Sequence, residues 1–141
     1  MKEFLEPEVE SGIVEVFEDV SELTIRFAGS GMFGSGSDVL TEEFHDPIDR
    51  LGEALEEQPG QVLIVGHSDS VPISTARFPN NTALSLARAE AVRARLADIL
   101  SDPDRLSAEG RADREPIADN ATAEGRAKNR RIEILLQKVA E

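Results

Sequence analysis

Val62-Leu63-Ile64-Val65-Gly66 runs four apolar residues into a glycine, and His67-Ser68-Asp69 follows at once. Four residues are too few for a helix, so the run predicts a strand buried on both faces. A helix pattern stands on each side of it. Downstream, His67 to Thr82 reads as a loop, and from Ala83 the positions Leu86, Ala89, Val92, Leu96, Ile99 and Leu100 share one helical face. Asn81 or Thr82 is the expected cap and Ser101-Asp102-Pro103 the stop. Upstream, Phe44, Ile48, Leu51 and Leu55 recur at four, three and four residues, a helix ending near Gln58 and closed by Pro59-Gly60. Its start has two readings: Thr41 caps and Pro47 falls in an early turn, or Asp46 caps with Pro47 at the first position.

The flanks complete the pattern. Ile13, Glu15 and Phe17, then Leu23, Ile25 and Phe27, alternate as two strands, Gly12 to Glu18 and Glu22 to Phe27, which predicts a hairpin through Asp19-Val20-Ser21. Leu106 and Ala108 mark a strand before Gly110. A polar stretch follows, with Pro116 and a helical turn at Ala121 to Ala127, before a last strand over Arg131 to Gln137. The expected fold class is α+β, a mixed sheet with helices packed on one face, with no repeat or linker to divide the chain.

Composition narrows the function classes. The 141 residues are 40% hydrophobic with six Phe and no Trp or Tyr, so the core is aliphatic and lacks stacking platforms for single-stranded nucleic acid. The formal charge of 15 − 28 = −13 repels phosphate backbones, and nucleic acid is not expected as a partner. That charge is uneven: residues 1–70 carry 3 basic and 17 acidic groups, residues 71–141 carry 12 and 11. An anion-reading surface should therefore come from the second half, where most basic residues are Arg. Without cysteine there is no thiolate metal cage or thiol nucleophile, and the redox compartment stays open. No run approaches the roughly 18 apolar residues of a membrane span, and the acidic start is unlike a secretory leader, so the chain as given is expected to be soluble.

Candidate chemistry is sparse. Gly29-Ser30-Gly31-Met32-Phe33-Gly34 satisfies G-x-G-x-x-G after a strand, but more Gly and Ser follow where a dinucleotide site opens directly into a helix. There is no P-loop and no G-x-S-x-G elbow. His67 and Asp69, two apart at a strand end, could face one side as metal ligands or as a base and its orienter, yet His45 is the only other histidine and no third ligand is evident. No enzyme, cofactor or metal is expected. Arg88 falls at the edge of the apolar stripe of its helix, within reach of a cleft beside Asp69. A plain surface ion pair between the two is the blander alternative.

Taken in order, Gly66-His67-Ser68-Asp69, then Asn81-Thr82-Ala83-Leu84-Ser85-Leu86-Ala87-Arg88-Ala89, then Gly110-Arg111-Ala112 with Pro116 and Asn120, and Asn129-Arg130-Arg131-Ile132-Glu133-Ile134, resemble the peptidoglycan-binding OmpA-like family. The family pattern runs G-H-T-D, N-x-x-L-S-x-x-R-A, G-x-G or G-x-A, and N-R-R-[VI]-E-[IV]. Ser68 replaces the usual Thr, keeping the hydroxyl. The loop from Asp69 to Asn81 is longer than in the outer-membrane members. It is similar to the flagellar stator MotB branch and, together with Leu100-Ser101-Asp102-Pro103 and Asp119 to Ala127, more closely similar to the long-form type VI secretion TssL branch.

The resemblance implies an OmpA-like β/α/β/α/β sandwich over 33–137. An acidic segment, 1–32, precedes it with a strand or hairpin joining the sheet, and 138–141 form a tail. It implies noncovalent binding of peptidoglycan stem peptides, with Asp69 and Arg88 gripping the zwitterionic end of meso-diaminopimelate. His67, Ser68, Asn81, Arg130 and Arg131 complete the ligand-binding set, Asn81 orienting the loop or capping the helix, and one of the two arginines facing the site while the other faces solvent. The implied partners are peptidoglycan, other subunits of an envelope secretion complex and a second copy of the chain. The implied place is the periplasm, as the soluble part of an inner-membrane-anchored protein whose span is absent from this chain. A stator cell-wall anchor, or a module acting only in subunit contacts, is the alternative.

Overall fold

The computed structural model describes residues 6–28, 31–34, 36–72 and 74–139. Residues 1–5 of the acidic start, Gly29 and Ser30 of the glycine-rich motif, Ile73 of the long loop and residues 140–141 of the tail lie outside the described residues. Five strands, β1 (Val14–Glu18), β2 (Glu22–Ala28), β3 (Val62–His67), β4 (Leu106–Ala112) and β5 (Arg131–Gln137), form one sheet in the order β1-β2-β5-β3-β4, with β5 central and β3 beside it. Ile64 and Val65 are sequence neighbours and so point to opposite faces, and both are fully buried, as a strand covered on both sides requires. β3 pairs antiparallel with β5, Arg131–Gln137, and parallel with β4, Leu106–Ala112. The parallel pairing is made by the crossover through α3, Asn81–Ala97, since parallel neighbours cannot be joined by a tight turn.

The predicted hairpin forms from β1, Val14–Glu18, and β2, Glu22–Ala28, with Asp19 Oδ1 accepting the amides of Ser21 (2.8 Å) and Glu22 (2.7 Å). β2 then pairs along β5 from Glu22↔Gln137 to Ala28↔Arg131, so the hairpin belongs to the same sheet. A short helix, α1 (Glu6–Glu10), precedes it, and buried Glu8 pairs with Arg50. α2 (His45–Glu56) and α3 lie on the face carrying Ile25, Phe27, Ile64 and Ile134, where the core is aliphatic apart from Phe27 and Phe44, stacked edge to face at 6.5 Å. No helix among the described residues is long and apolar enough to cross a membrane.

Several expectations shift in detail. α2 enters through a 3-10 turn over Glu42–Phe44, with Pro47 in its first helical turn and Asp46 inside the helix. Thr41 precedes the turn, but its hydroxyl donates to Gly31 O at 2.6 Å instead of capping. Past the end of α2, Arg105 donates to the carbonyls of Leu55, Gln58 and Gly60 and so ties the turn after the helix to the start of β4. The cap of α3 is Asn80, whose side chain accepts the Ala83 amide at 2.9 Å, one residue ahead of the predicted Asn81 or Thr82. Asn80→Ala is expected to cost about 1 kcal/mol in urea denaturation. Leu86 is 40% exposed, and Leu84 takes its place in the core. The helical turn predicted at Ala121 to Ala127 lies two residues later as α4, Ala123–Asn129, capped by Thr122 on the Gly125 amide.

Two glycines bring α3 close to the sheet. A Cβ at Gly66 would stand 2.0 Å from Ser85 O, and one at Gly110 would stand 2.6 Å from Leu86 N. Any side chain there would push the helix off β3 and β4. Ser85 Oγ also accepts the Ala112 amide at 3.2 Å. Arg88, one turn further along, is thereby held beside the C-terminal end of β3.

Candidate zwitterion-binding site

Asp69 follows β3 where the register with β4 shifts between Gly66 and His67, and the Ser68 amide donates to Ala112 O at 2.8 Å to hold the strand end. Its carboxylate is mostly buried. Oδ1 accepts the Val71 amide at 3.0 Å, and Oδ2 accepts Arg130 Nη1 at 2.5 Å. The ion pair expected as the blander reading, Asp69 with Arg88, does not form. Arg88 instead donates Nε to Ser37 O at 2.7 Å and Nη2 to Gly34 O at 3.0 Å, with its guanidinium over the Phe33 ring, 5.1 Å from the centroid. Burial, and then the charge of Arg130, push the Arg88 guanidinium below its ordinary value, against the pull of Asp38 and Asp69. It stays cationic at neutral pH because a guanidinium titrates so high.

The two adjacent arginines part company. Arg130 sits at the rim with its side chain 40% exposed, paired to Asp69. Arg131 does not face solvent: it is 4% exposed, donates to Asn129 O (3.1 Å) and Glu115 O (2.8 Å), and lies 3.4 Å from Glu133. The reason is the sheet. As the first residue of β5, Arg131 shares a face with Glu133, opposite Ile132 and Ile134. Glu133 also accepts His67 Nε2 at 2.7 Å and Arg26 Nε at 2.8 Å. Burial raises the Glu133 carboxyl, but the hydrogen bonds from His67 and Arg26 and the charge of Arg131 outweigh it and hold it down at about 2.

His67 is therefore a member of a buried ion network rather than a partner of Asp69. The two side chains, expected to share a side, go to different cations and anions across the register shift, and no group of three or more metal-ligating side chains occurs among the described residues. Ser68 turns its hydroxyl to Asp69 O at 2.9 Å. Asn81 does not cap; its side-chain amide donates to Val71 O at 2.8 Å and so ties the start of α3 to the loop after Asp69. Asn129, quoted in the motif without a role, is fully buried and accepts the amides of Ile117 (2.7 Å) and Ala118 (2.9 Å). Its amide donates to Asn120 Oδ1 at 2.8 Å, which in turn accepts the Ser70 amide at 3.3 Å. That chain of contacts fixes the polar stretch beside the site and presents Arg130.

Sequence reasoning passed over Glu133, which occupies a polar position in an alternating strand and gave no sign of burial, and over the Gly34 and Ser37 carbonyls, which have no side-chain signature. The result is one carboxylate, Asp69, beside two guanidinium groups, Arg88 and Arg130. Phe33, Gly66, Ser85 and Ile132 help line the narrow cleft between the arginines, whose inner void is about 10 Å³, the room of one water. An acceptor-only carboxylate suits an ammonium, and a planar guanidinium suits a carboxylate at two points. The arrangement sets opposite charges side by side at the end of β3.

The chain is similar in sequence and fold to several known proteins. The cell wall anchor of the T6SS from Pseudomonas aeruginosa is 41% identical and superposes with a TM-score of 0.93 over 98% of this chain and 96% of that one. A periplasmic domain of Helicobacter pylori MotB, 24% identical, shares the fold with a TM-score of 0.81 over 90% of this chain and 83% of that one. Motility protein B of Bacillus subtilis is 34% identical over 116 residues, 81% of this chain, and Outer membrane protein A of Bordetella avium is 47% identical over 111 residues, 78% of this chain. The chain spans 44% and 55% of the lengths of these two proteins. These matches are anchoring, motility and outer membrane proteins. With residues 32–130, which hold β3, β4, both long helices and Asp69, Arg88 and Arg130, matching the family, the chain belongs to the OmpA family.

Proposed function

We propose that this chain binds peptidoglycan noncovalently in the periplasm through the free zwitterionic end of meso-diaminopimelate in the stem peptide, and so anchors an envelope secretion complex to the cell wall. The observation that carries the reading is the convergence of Asp69 with Arg88 and Arg130 on a fold that a T6SS cell wall anchor shares nearly end to end. Asp69 takes the ligand ammonium and Arg88 its carboxylate. Ser68 and Asn81 act by holding the loop that carries Asp69, while His67 and Arg131 act through Glu133 by stiffening the strand ends beneath the site. The homology to Motility protein B supports a second reading, a stator anchor, with the same ligand chemistry and a different machine. Co-sedimentation of the chain with purified sacculi tests the shared part. Affinity capture of envelope subunits from the native cell separates secretion partners from motor partners and from self-association.

Ligand choice gives a sharper test. Lysine differs from diaminopimelate by the missing terminal carboxylate, so a lysine-type stem leaves Arg88 without its anion while Asp69 still finds an ammonium. The lost charge-assisted hydrogen bonds correspond to roughly 1.5 to 3 kcal/mol, about 10- to 150-fold in affinity. Calorimetric titration of both soluble stem peptides is expected to show that ratio, and equal affinities would remove Arg88 from the carboxylate.

A further inference from the structure

Both charged seats of the site are already filled by groups of this chain. Arg88 offers its side-on donor pair, Nε and Nη2, to the Ser37 and Gly34 carbonyls at 2.7 and 3.0 Å. Two oxygens on one guanidinium edge is the arrangement a carboxylate makes. At the other seat Arg130 Nη1 lies 2.5 Å from Asp69 Oδ2, where a ligand ammonium would sit. The segment bearing the two carbonyls is closed at its base by the Phe33↔Leu40 bridge and by the Thr41 amide on Met32 O at 2.8 Å. On its outer side Asp38 takes both terminal nitrogens of Arg77, each at 3.0 Å. Arg77 belongs to the long loop that follows Asp69, so this one two-point contact ties the two segments that flank the cleft.

We propose that the Asp38–Arg77 pair is a clasp that keeps the Gly34 and Ser37 carbonyls in the carboxylate seat of Arg88, so that the chain binds its ligand more weakly than the open site would. The inference rests on the zwitterion reading above. A ligand carboxylate must displace the two carbonyls, and the apparent affinity falls by the fraction of molecules in which Arg88 is free. Charged acceptors bind a guanidinium more strongly than neutral carbonyls, so the exchange runs toward the ligand once it is present. The clasp makes a prediction opposite in sign to simple electrostatics. Arg77→Ala removes a positive charge near an anion-binding arginine, which alone would weaken carboxylate binding, whereas release of the clasp tightens it.

The test is calorimetric titration of the whole chain with a meso-diaminopimelate stem tripeptide, comparing wild type with Arg77→Ala, Asp38→Asn and Arg77→Lys. Arg77 is largely exposed, with its side chain at 68%, so these variants should keep the wild-type thermal midpoint. Arg77→Ala and Asp38→Asn are expected to bind about 2- to 5-fold tighter, the worth of an exposed ion pair, with Arg77→Lys between them and wild type because a point charge keeps only part of the two-point contact. Unchanged or weaker binding by Arg77→Ala overturns the clasp whatever Asp38→Asn does, because loss of the Asp38 charge near Arg88 favours a ligand carboxylate by itself, and the carbonyls would then orient Arg88 instead of competing for it. If wild type and every variant ignore the tripeptide, the zwitterion reading fails and the clasp falls with it. Binding by wild type without any gain in the variants removes the clasp alone.

Discussion

Asp69→Asn is expected to weaken binding of a meso-diaminopimelate stem peptide by about 2–5 kcal/mol, roughly 30-fold to several-thousand-fold, with the fold intact. The substitution removes the charge that meets the ammonium and keeps an oxygen for the Val71 amide, so the local turn survives. Arg130, left without its anion, has a side chain 40% exposed and finds water in place of the carboxylate. Arg88→Ala is expected to lose as much. Arg88→Lys should fall between alanine and wild type, since an ammonium retains the charge but not the planar fork. Sacculus co-sedimentation gives the qualitative result and calorimetry the magnitude. Binding retained by both Asp69→Asn and Arg88→Ala would show that the ligand is held elsewhere on the molecule.

The largest expected loss of stability follows from Glu133→Ala. Glu133 lies on β5 between β2 and β3 and is the common anion of Arg26, His67 and Arg131, with its own side chain 10% exposed. Removing it strands the buried donors of His67 on β3 and Arg131 on β5 and unpairs half-buried Arg26 on β2, a loss of about 3–5 kcal/mol. The same group makes acid sensitivity readable. Its carboxyl is held at about 2 against an ordinary 4.5, so the folded state favours the ionised form. That stabilisation is complete above the ordinary value and disappears as the pH falls from about 4.5 through about 2, because the unfolded chain takes up the proton first. Urea denaturation of wild type across this window should lose up to about 3 kcal/mol from this group. Glu133→Gln should start less stable at neutral pH and fall less steeply. Parallel pH profiles for the two proteins would remove Glu133 as the source.

Much of the architecture was legible because it depends on local periodicity. Alternation alone placed β5 at Arg131–Gln137 and the hairpin strands within two residues of their ends, and a short apolar run marked β3 as buried on both faces. Boundaries set by side-chain caps were less legible. Asn80, Asn81 and Thr82 are all competent caps, and which one closes the turn depends on where the loop after Asp69 arrives. Leu86 reads as core by spacing, yet the close approach of α3 to Gly66 and Gly110 rotates Leu84 and Ser85 inward and leaves Leu86 exposed.

By itself the sequence determined which groups could bind: a single Asp at the end of a central strand, an Arg at the edge of the following helix and two more at the start of the last strand. Only the tertiary structure decided how those charges pair. Asp69 and Arg130 are 61 residues apart, Glu133 and His67 are 66 apart, and Arg26 and Glu133 are 107 apart, so no local pattern links them. The sheet order, with β5 between β2 and β3, brings them into contact. Once there, burial removes the competing water, and each carboxylate must take the nearest guanidinium or imidazole that strand register supplies. Arg131 and His67 therefore line the floor of the cleft with their polar groups turned to Glu133, while Arg130, one residue outside the strand, was left to Asp69.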